Sequence, residues 1–283
     1  MAIEKVGVIG CGTMGSGIVQ VAALSGFEVT FVARSPEKVE WGWGLVQQSL
    51  SKAVEKNKVS PQKADSARAR IRGTIYTRDL EGCDIIIETI TEDLDRKKQL
   101  FAELDGIIPA NVIFTTNTSS FSVSEIAAAT RRPQQMAGLH FFNPAEAMKL
   151  VEIVRTAWSS EETIATVRAF GLSLGKEPVI VKDTPGFIVN AFLTPYLNQV
   201  VQAYDDGLAT REDIDTAVGL GFGIHLGPLA MLDLIGLDVQ LHIAETLFAR
   251  CGDQRFAPPR LLRRMVEAGH LGRKAGRGFY EYR

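Results

Sequence analysis

Short apolar runs alternate with longer stretches of helical periodicity through the first two thirds of the chain. Residues 5–10 (K-V-G-V-I-G) form an apolar run that ends in glycines, and residues 13–24 then repeat apolar positions at helical spacing. Residues 28–33 (E-V-T-F-V-A) read as a second strand, and Pro36 suits the first turn of the helix that follows. Further strands are predicted at 83–90, 112–116, 136–141, 150–154 and 178–181, with a helix over 94–108. Strands alternating with helices of this length predict an α/β fold built on a largely parallel sheet.

After Asp183-Thr184-Pro185-Gly186 the alternation stops. From 187 to about 269 the periodicity is helical, with no convincing strand. Thr210 followed by Arg211-Glu212-Asp213 has the form of a helix start, and Pro195 is expected to kink or offset a helix over 187–206. The pattern therefore divides into an α/β domain at 1–183 and an all-helical domain at 184–283. One stretch departs from both. Residues 37–72 read as two polar helices joined at 58–61, too long for an ordinary crossover, and predict a projecting helical hairpin.

Composition narrows the picture. The 283 residues suit two domains, and 46% hydrophobic with 23% charged residues excludes wholesale disorder. A net charge of −2 gives no global field toward nucleic acid or an anionic membrane. Three well-separated cysteines suggest no disulfide framework, and four histidines lack metal-ligand spacing, so no metal is expected. No uncharged apolar run approaches the ~18 residues that span a bilayer. The chain also opens without a basic and then apolar leader. A reducing, cytoplasmic location is the default.

Gly10-Cys11-Gly12-Thr13-Met14-Gly15 is G-x-G-x-x-G between a predicted strand and a predicted helix. The first glycine permits the turn, the second admits the pyrophosphate, the third packs helix on strand, and the helix N-terminus faces the phosphates. An NAD site commonly carries an acid at the end of the second strand, about 20 residues on. Here Ala33, Arg34 and Ser35 occupy that place, and the next acid is Glu37 beyond Pro36. Arginine beside a hydroxyl suits a 2′-phosphate, so the residues favour NADP(H) over NAD(H). The alternative is that Arg34 stacks on the adenine and NAD still binds well.

Seven motifs in order carry a family resemblance: G-C-G-T-M-G-S-G-I (10–18), N-T-S-S (117–120), G-L-H-F-F-N-P (138–144), M-K-L-V-E (148–152), D-T-P-G-F-I-V-N (183–190), G-P-L-A-M-L-D-L-I-G-L-D (227–238) and G-R-K-A-G-R-G-F-Y (272–280). Together they resemble the short-chain 3-hydroxyacyl-CoA dehydrogenases, in particular the bacterial 3-hydroxybutyryl-CoA enzymes, over essentially the whole chain. The resemblance implies a Rossmann-type N-terminal domain and a helical C-terminal domain that forms a homodimer. It also implies an active site between them and interconversion of (S)-3-hydroxyacyl-CoA with 3-ketoacyl-CoA.

His140 ends one predicted strand, and Glu152 lies twelve positions on in the next, across the turn through Asn143-Pro144. That spacing allows a histidine–carboxylate hydrogen bond, and a glutamate inside an apolar run needs a partner if buried. Histidine can take the hydroxyl proton as hydride leaves carbon, with the carboxylate fixing its tautomer. The resemblance places Ser119 near nicotinamide and substrate carbonyl, although a serine there could equally cap a helix, as could Ser120 or Ser122. It makes Asn190 a substrate-orienting amide, and sets Glu92, Lys97, Asn117 and Asn143 near the cofactor; Lys97 and Lys98 could equally form a solvated face. The segment 52–72 carries seven basic against two acidic residues. Lys52 and Lys56, four apart on one helix face, are the candidates for coenzyme A phosphates.

Two departures bear on fine specificity. Many relatives carry arginine where this chain has Ala191, and the second-strand acid is missing. Two other readings stay open: a CoA-independent hydroxyacid or sugar-acid dehydrogenase on the same scaffold, and a cofactor-binding protein without turnover. A β-hydroxyacid dehydrogenase with a catalytic lysine fits less well, because Gly186 stands where that lysine belongs.

Overall fold

A computed structural model describes residues 3–282. The chain forms two compact units that divide between Thr184 and Pro185. In the first unit, β1 (Lys5–Ile9), α1 (Thr13–Leu24), β2 (Glu28–Val32), α2 (Pro36–Glu55), α3 (Pro61–Ala69), β3 (Ile71–Thr74), β4 (Ile85–Glu88), α4 (Leu94–Ile107) and β5 (Ile113–Thr116) come first. They are followed by α5 (Val123–Ala127), β6 (Met136–Phe141), β7 (Leu150–Arg155), α6 (Glu161–Ser173) and β8 (Glu177–Lys182). The eight strands form one sheet in the order β3-β2-β1-β4-β5-β6-β7-β8. Every neighbouring pair is parallel except β6 with β7, so the last two strands run against the first six. This is the expected largely parallel α/β sheet.

Strand alternation feeds two cores. Val6, Val8, Ile85 and Ile87 pack on one face with Phe31, Leu139 and Ile153, whereas Ile9, Ile86 and Phe114 pack on the other with Phe101, Leu104 and Met136. Each such side chain contributes roughly 1.5–3 kcal/mol on burial. Helices therefore cover both faces, and the strand ends are left to carry polar chemistry.

The segment 37–72 differs from its expectation. Ser60 caps α3 by accepting from the Lys63 N–H, so the joint at 58–61 is where the sequence put it. The two helices do not project. They pack on α1, with Val46 and Leu50 of α2 and Ala64 and Ala67 of α3 buried in the first core. Polar outer positions hid this apolar seam. Arg72 is in no hairpin either: it belongs to β3, a short edge strand beside β2 that sequence reasoning did not find.

Asp105 near the end of α4 ties that helix to the segment before β6. Its carboxylate accepts from Arg131 Nε at 2.8 Å and Arg132 Nε at 2.6 Å, and Arg132 also donates to the Ile108 carbonyl at 2.7 Å. Burial would raise the carboxyl, but these hydrogen bonds outweigh it and hold the group below the usual carboxylate range. Asp105→Asn is expected to cost about 3 kcal/mol, because buried Arg132 loses its partner. A folded pKa below the unfolded value gives stability that is full above the unfolded pKa and lost as pH falls through the folded one. The gap between wild-type and variant melting temperatures should therefore narrow below about pH 4. A constant gap down to pH 2 would contradict this account.

The second unit contains α7 (Val189–Asp205), α8 (Arg211–Phe222), α9 (Pro228–Ile235), α10 (Leu237–Cys251) and α11 (Arg260–Glu267). Thr210 caps α8 as its sequence suggested, and α7 is assigned as one helix with Pro195 inside it. Leu197, Val201, Leu229, Leu232, Leu262 and Phe279 form its core. Asp233, 1% exposed, accepts from the Phe279 and Tyr280 N–H groups at 2.9 and 2.8 Å, which pins the G-R-G-F-Y tail to α9.

Candidate active site

The glycine motif is the loop from β1 into α1. A Cβ on Gly15 would lie 1.9 Å from the Gly10 carbonyl oxygen, so only glycine lets α1 come this close to the loop. Gly12 is different: nothing lies within 4 Å of where its Cβ would be, which leaves that side open for a ligand. Gly12 is also the N-cap of α1 and offers no side-chain cap, so the first-turn amides near Thr13 and Met14 keep their donors for an anion. These features fit a dinucleotide pyrophosphate.

A cavity of about 460 Å³ adjoins this loop, lined by Gly10, Gly12, Ala33, Arg34, Lys38 and Trp41 among others. Ala33 and Arg34 border it as expected. Ser35 has another job: it caps α2 by accepting from the Lys38 N–H at 3.4 Å, and its hydrogen bond to Glu37 lowers that carboxyl. Lys38, which sequence reasoning passed over, supplies a second cation on the same wall, 4.6 Å from the centre of the Trp41 ring. A wider hollow of about 710 Å³ lies among Lys5, Glu28 and Arg70 at the amino ends of β1 and β2. No candidate residue lines it, so it is not the site.

At the carboxyl ends of β4 and β5 the polar residues form one network. Lys97 is 1% exposed, and its Nζ lies 2.7 Å from Glu88 Oε1, 3.3 Å from Glu92 Oε2 and 3.4 Å from the Ile90 carbonyl. It is not a solvated helix face; its ammonium is shared by two carboxylates. Glu92 Oε1 accepts from the Thr118 hydroxyl, from the Ser119 N–H at 3.2 Å and from the Ser120 hydroxyl at 3.0 Å. Burial raises the Glu92 carboxyl, but Lys97 and the hydroxyls outweigh it and hold it below its ordinary value. Ser122 is the serine that caps α5, accepting from the Glu125 N–H. Ser119 is thus spared the capping role and sits half-buried at the strand end.

His140 and Glu152 are direct cross-strand partners in the antiparallel pair β6–β7. His140 Nδ1 lies 2.7 Å from Glu152 Oε2, and the two side chains are only 7% and 1% exposed. A period-two register explains the meeting: twelve residues, a turn and a reversal return the chain to the same level on the same face. Asn117 braces the strand next door, its Oδ1 accepting from the Phe141 N–H at 2.8 Å. The turn between the strands holds exposed Asn143, joined to Pro144 by a cis peptide bond. Lys176, also missed, is buried beneath this turn and donates to the carbonyls of Ala145 at 2.5 Å and Met148 at 2.7 Å. A lysine near the start of β8 carries no sequence signal for such a clamp.

Of the remaining candidates, Lys52 and Lys56 are exposed at the end of α2, and Asn190 lies in the first turn of α7 in the second unit. His140, Glu152, Glu92, Ser119 and Asn117 are gathered at the carboxyl edge of the sheet, the side on which open α/β folds bind ligands. Within this group the 2.7 Å contact commits one ring nitrogen of His140 to Glu152.

Comparison with known proteins agrees with this geometry. Residues 5–184 match the NAD binding domain of 3-hydroxyacyl-CoA dehydrogenase, and residues 186–282 match its C-terminal domain. A probable 3-hydroxybutyryl-CoA dehydrogenase of Bacillus subtilis is 43% identical over 100% of this chain and 98% of its own length. A 3-hydroxybutyryl-CoA dehydrogenase of Mycobacterium tuberculosis is 42% identical over 99% of both. The crystal structure of an (S)-3-hydroxybutyryl-CoA dehydrogenase from Ralstonia eutropha superposes with a TM-score of 0.94 at 43% identity, covering 100% of each chain. With both halves matched and relatives aligned end to end, the chain belongs to the 3-hydroxyacyl-CoA dehydrogenase family.

Proposed function

We propose that the protein interconverts (S)-3-hydroxyacyl-CoA and 3-ketoacyl-CoA thioesters, with 3-hydroxybutyryl-CoA and acetoacetyl-CoA as its pair. The observation that carries this reading is the buried 2.7 Å contact of His140 with Glu152 at the carboxyl edge of the sheet. A bound nicotinamide dinucleotide supplies hydride acceptance or donation. His140 takes the hydroxyl proton in oxidation and returns it in reduction. With Nδ1 committed to Glu152, the proton passes through Nε2, and the carboxylate stabilises the imidazolium that forms. Ser119 donates to the substrate oxygen and holds it for the transfer, and Asn190 is carried as a substrate-orienting amide. The exposed ammonium groups of Lys52 and Lys56 meet the phosphates of coenzyme A.

The cofactor reading is NADP(H). Among the described residues no acid lines the cavity beside Gly12, whereas Arg34 and Lys38 both line it, which suits a 2′-phosphate better than a ribose hydroxyl. A homodimer through the second unit is supported by its exposed apolar side chains, with Leu220 82%, Phe192 76% and Phe222 69% exposed. No described helix is long and apolar enough to cross a membrane, in keeping with a cytoplasmic enzyme.

One experiment tests substrate and cofactor together: oxidation of NADPH and NADH by the purified protein with acetoacetyl-CoA, with free acetoacetate and hydroxy sugar acids as controls. Turnover of the thioester with NADPH favoured is expected. Arg34→Ala and Lys38→Ala should each lower kcat/KM for NADPH about tenfold, the effect of one charge-assisted hydrogen bond, and leave NADH nearly unchanged. Equal use of both cofactors would remove the 2′-phosphate reading alone. Preference for a free acid would move the enzyme to a CoA-independent role, and no turnover would leave a cofactor-binding protein.

A further inference from the structure

Glu88 belongs to no expectation drawn from the sequence, yet it joins more of the site than any residue named above. It ends β4 after three isoleucines and is wholly buried. Its Oε1 accepts from Lys97 Nζ at 2.7 Å and from the Ile90 N–H at 2.6 Å, and its Oε2 accepts from the Thr116 hydroxyl at 2.5 Å. Its backbone carbonyl accepts from the Asn117 N–H at 2.9 Å. The next residue, Thr89, donates through its hydroxyl to the Gly10 carbonyl at 2.5 Å. One strand end therefore touches the glycine loop on one side and, through Lys97, Glu92 on the other.

We propose that Glu88 is a positioning residue that fixes Lys97, and through it the Glu92 carboxylate and the Ser119 amide, so that both halves of the dinucleotide site share one buried scaffold. Stability alone does not call for this arrangement. A buried ion pair is often no better than apolar residues of the same volume, and here two carboxylates share a single ammonium. Isoleucine would extend the run Ile85–Ile87 and pack against the same core. A network whose donors and acceptors are all engaged confers geometry instead. Lys97, with almost no exposed surface, can act on a ligand only by holding Glu92.

The inference rests on the reading of this strand edge as the dinucleotide site, and the test separates the two. Full-length wild type, Glu88→Gln and Thr116→Val are titrated with NADPH and NADH by fluorescence, then assayed with acetoacetyl-CoA. Glu88→Gln should raise the Kd of the reduced cofactor and lower kcat, each about tenfold, as misplacement of site groups does. The KM for the thioester should change less, within about threefold, because of the groups that Glu88 holds in place only Ser119 faces the substrate. Thr116→Val removes one hydroxyl from the same carboxylate and should move Kd and kcat in the same direction, about three- to tenfold. A merely structural role would reduce melting temperature and the number of binding-competent molecules, with Kd and kcat per bound cofactor unchanged; that result overturns the proposal. If Glu88→Gln does not fold, Thr116→Val decides on the same criteria. A wild type that binds neither cofactor would reject the site itself.

Discussion

His140→Ala is expected to lower kcat with acetoacetyl-CoA by about 10²–10⁴-fold, the usual contribution of a positioned acid/base group. The Kd of the reduced cofactor should stay within about twofold, since the glycine loop and the Glu92–Ser119 turn are built from other strands. Glu152→Gln separates two parts of the histidine's task. A glutamine oxygen can still accept from Nδ1, so the tautomer survives, but the charge that stabilises the imidazolium is gone. Its loss should be smaller, about 10–100-fold, the size expected when one neighbouring charge is removed and the hydrogen bond is kept. Stopped-flow measurement of the hydride step in both variants checks this. His140→Ala retaining turnover within about tenfold of wild type would remove the residue from the chemistry.

The strands and the pair were legible because their signals are local or periodic. Apolar runs mark β1, β2, β4, β5, β6, β7 and β8, and a strand–turn–strand spacing of twelve was enough to set His140 opposite Glu152. β3 escaped because Ile71-Arg72-Gly73-Thr74 is short, half polar and pairs on one side only. The packing of α2 escaped although Val46 and Leu50 stand four apart, since the lysines and glutamines around them dominate the pattern. Glu88 and Lys97 escaped for a different reason. Their partnership crosses from a strand to the next helix, and nothing in either residue's neighbourhood announces that a charged pair will be wholly buried. Sequence could place Lys97 near the site; only the fold says that its ammonium faces inward.

Gly15→Ala should lower affinity for both reduced cofactors about 100-fold, the upper range for forcing volume into a packed site. Many dinucleotide loops accept alanine at the third glycine. This one should not, because the new methyl would lie 1.9 Å from the Gly10 carbonyl oxygen and 2.7 Å from Thr89 Oγ1. The obstacle on one side is backbone, which cannot swing away as a side chain can. The start of α1 must therefore lift from the loop, carrying with it the first-turn amides that are to meet the pyrophosphate. Thr89 is displaced too, and with it the end of β4 that leads into the Glu88 network. Isothermal titration with NADPH and NADH measures the loss, and it should be equal for the two, since the pyrophosphate is common to both. Unchanged affinity would mean that the loop relaxes around the methyl and that close helix–loop contact is dispensable for binding. A loss confined to NADPH would instead place the strain at Arg34 and Lys38, beyond the glycine turn.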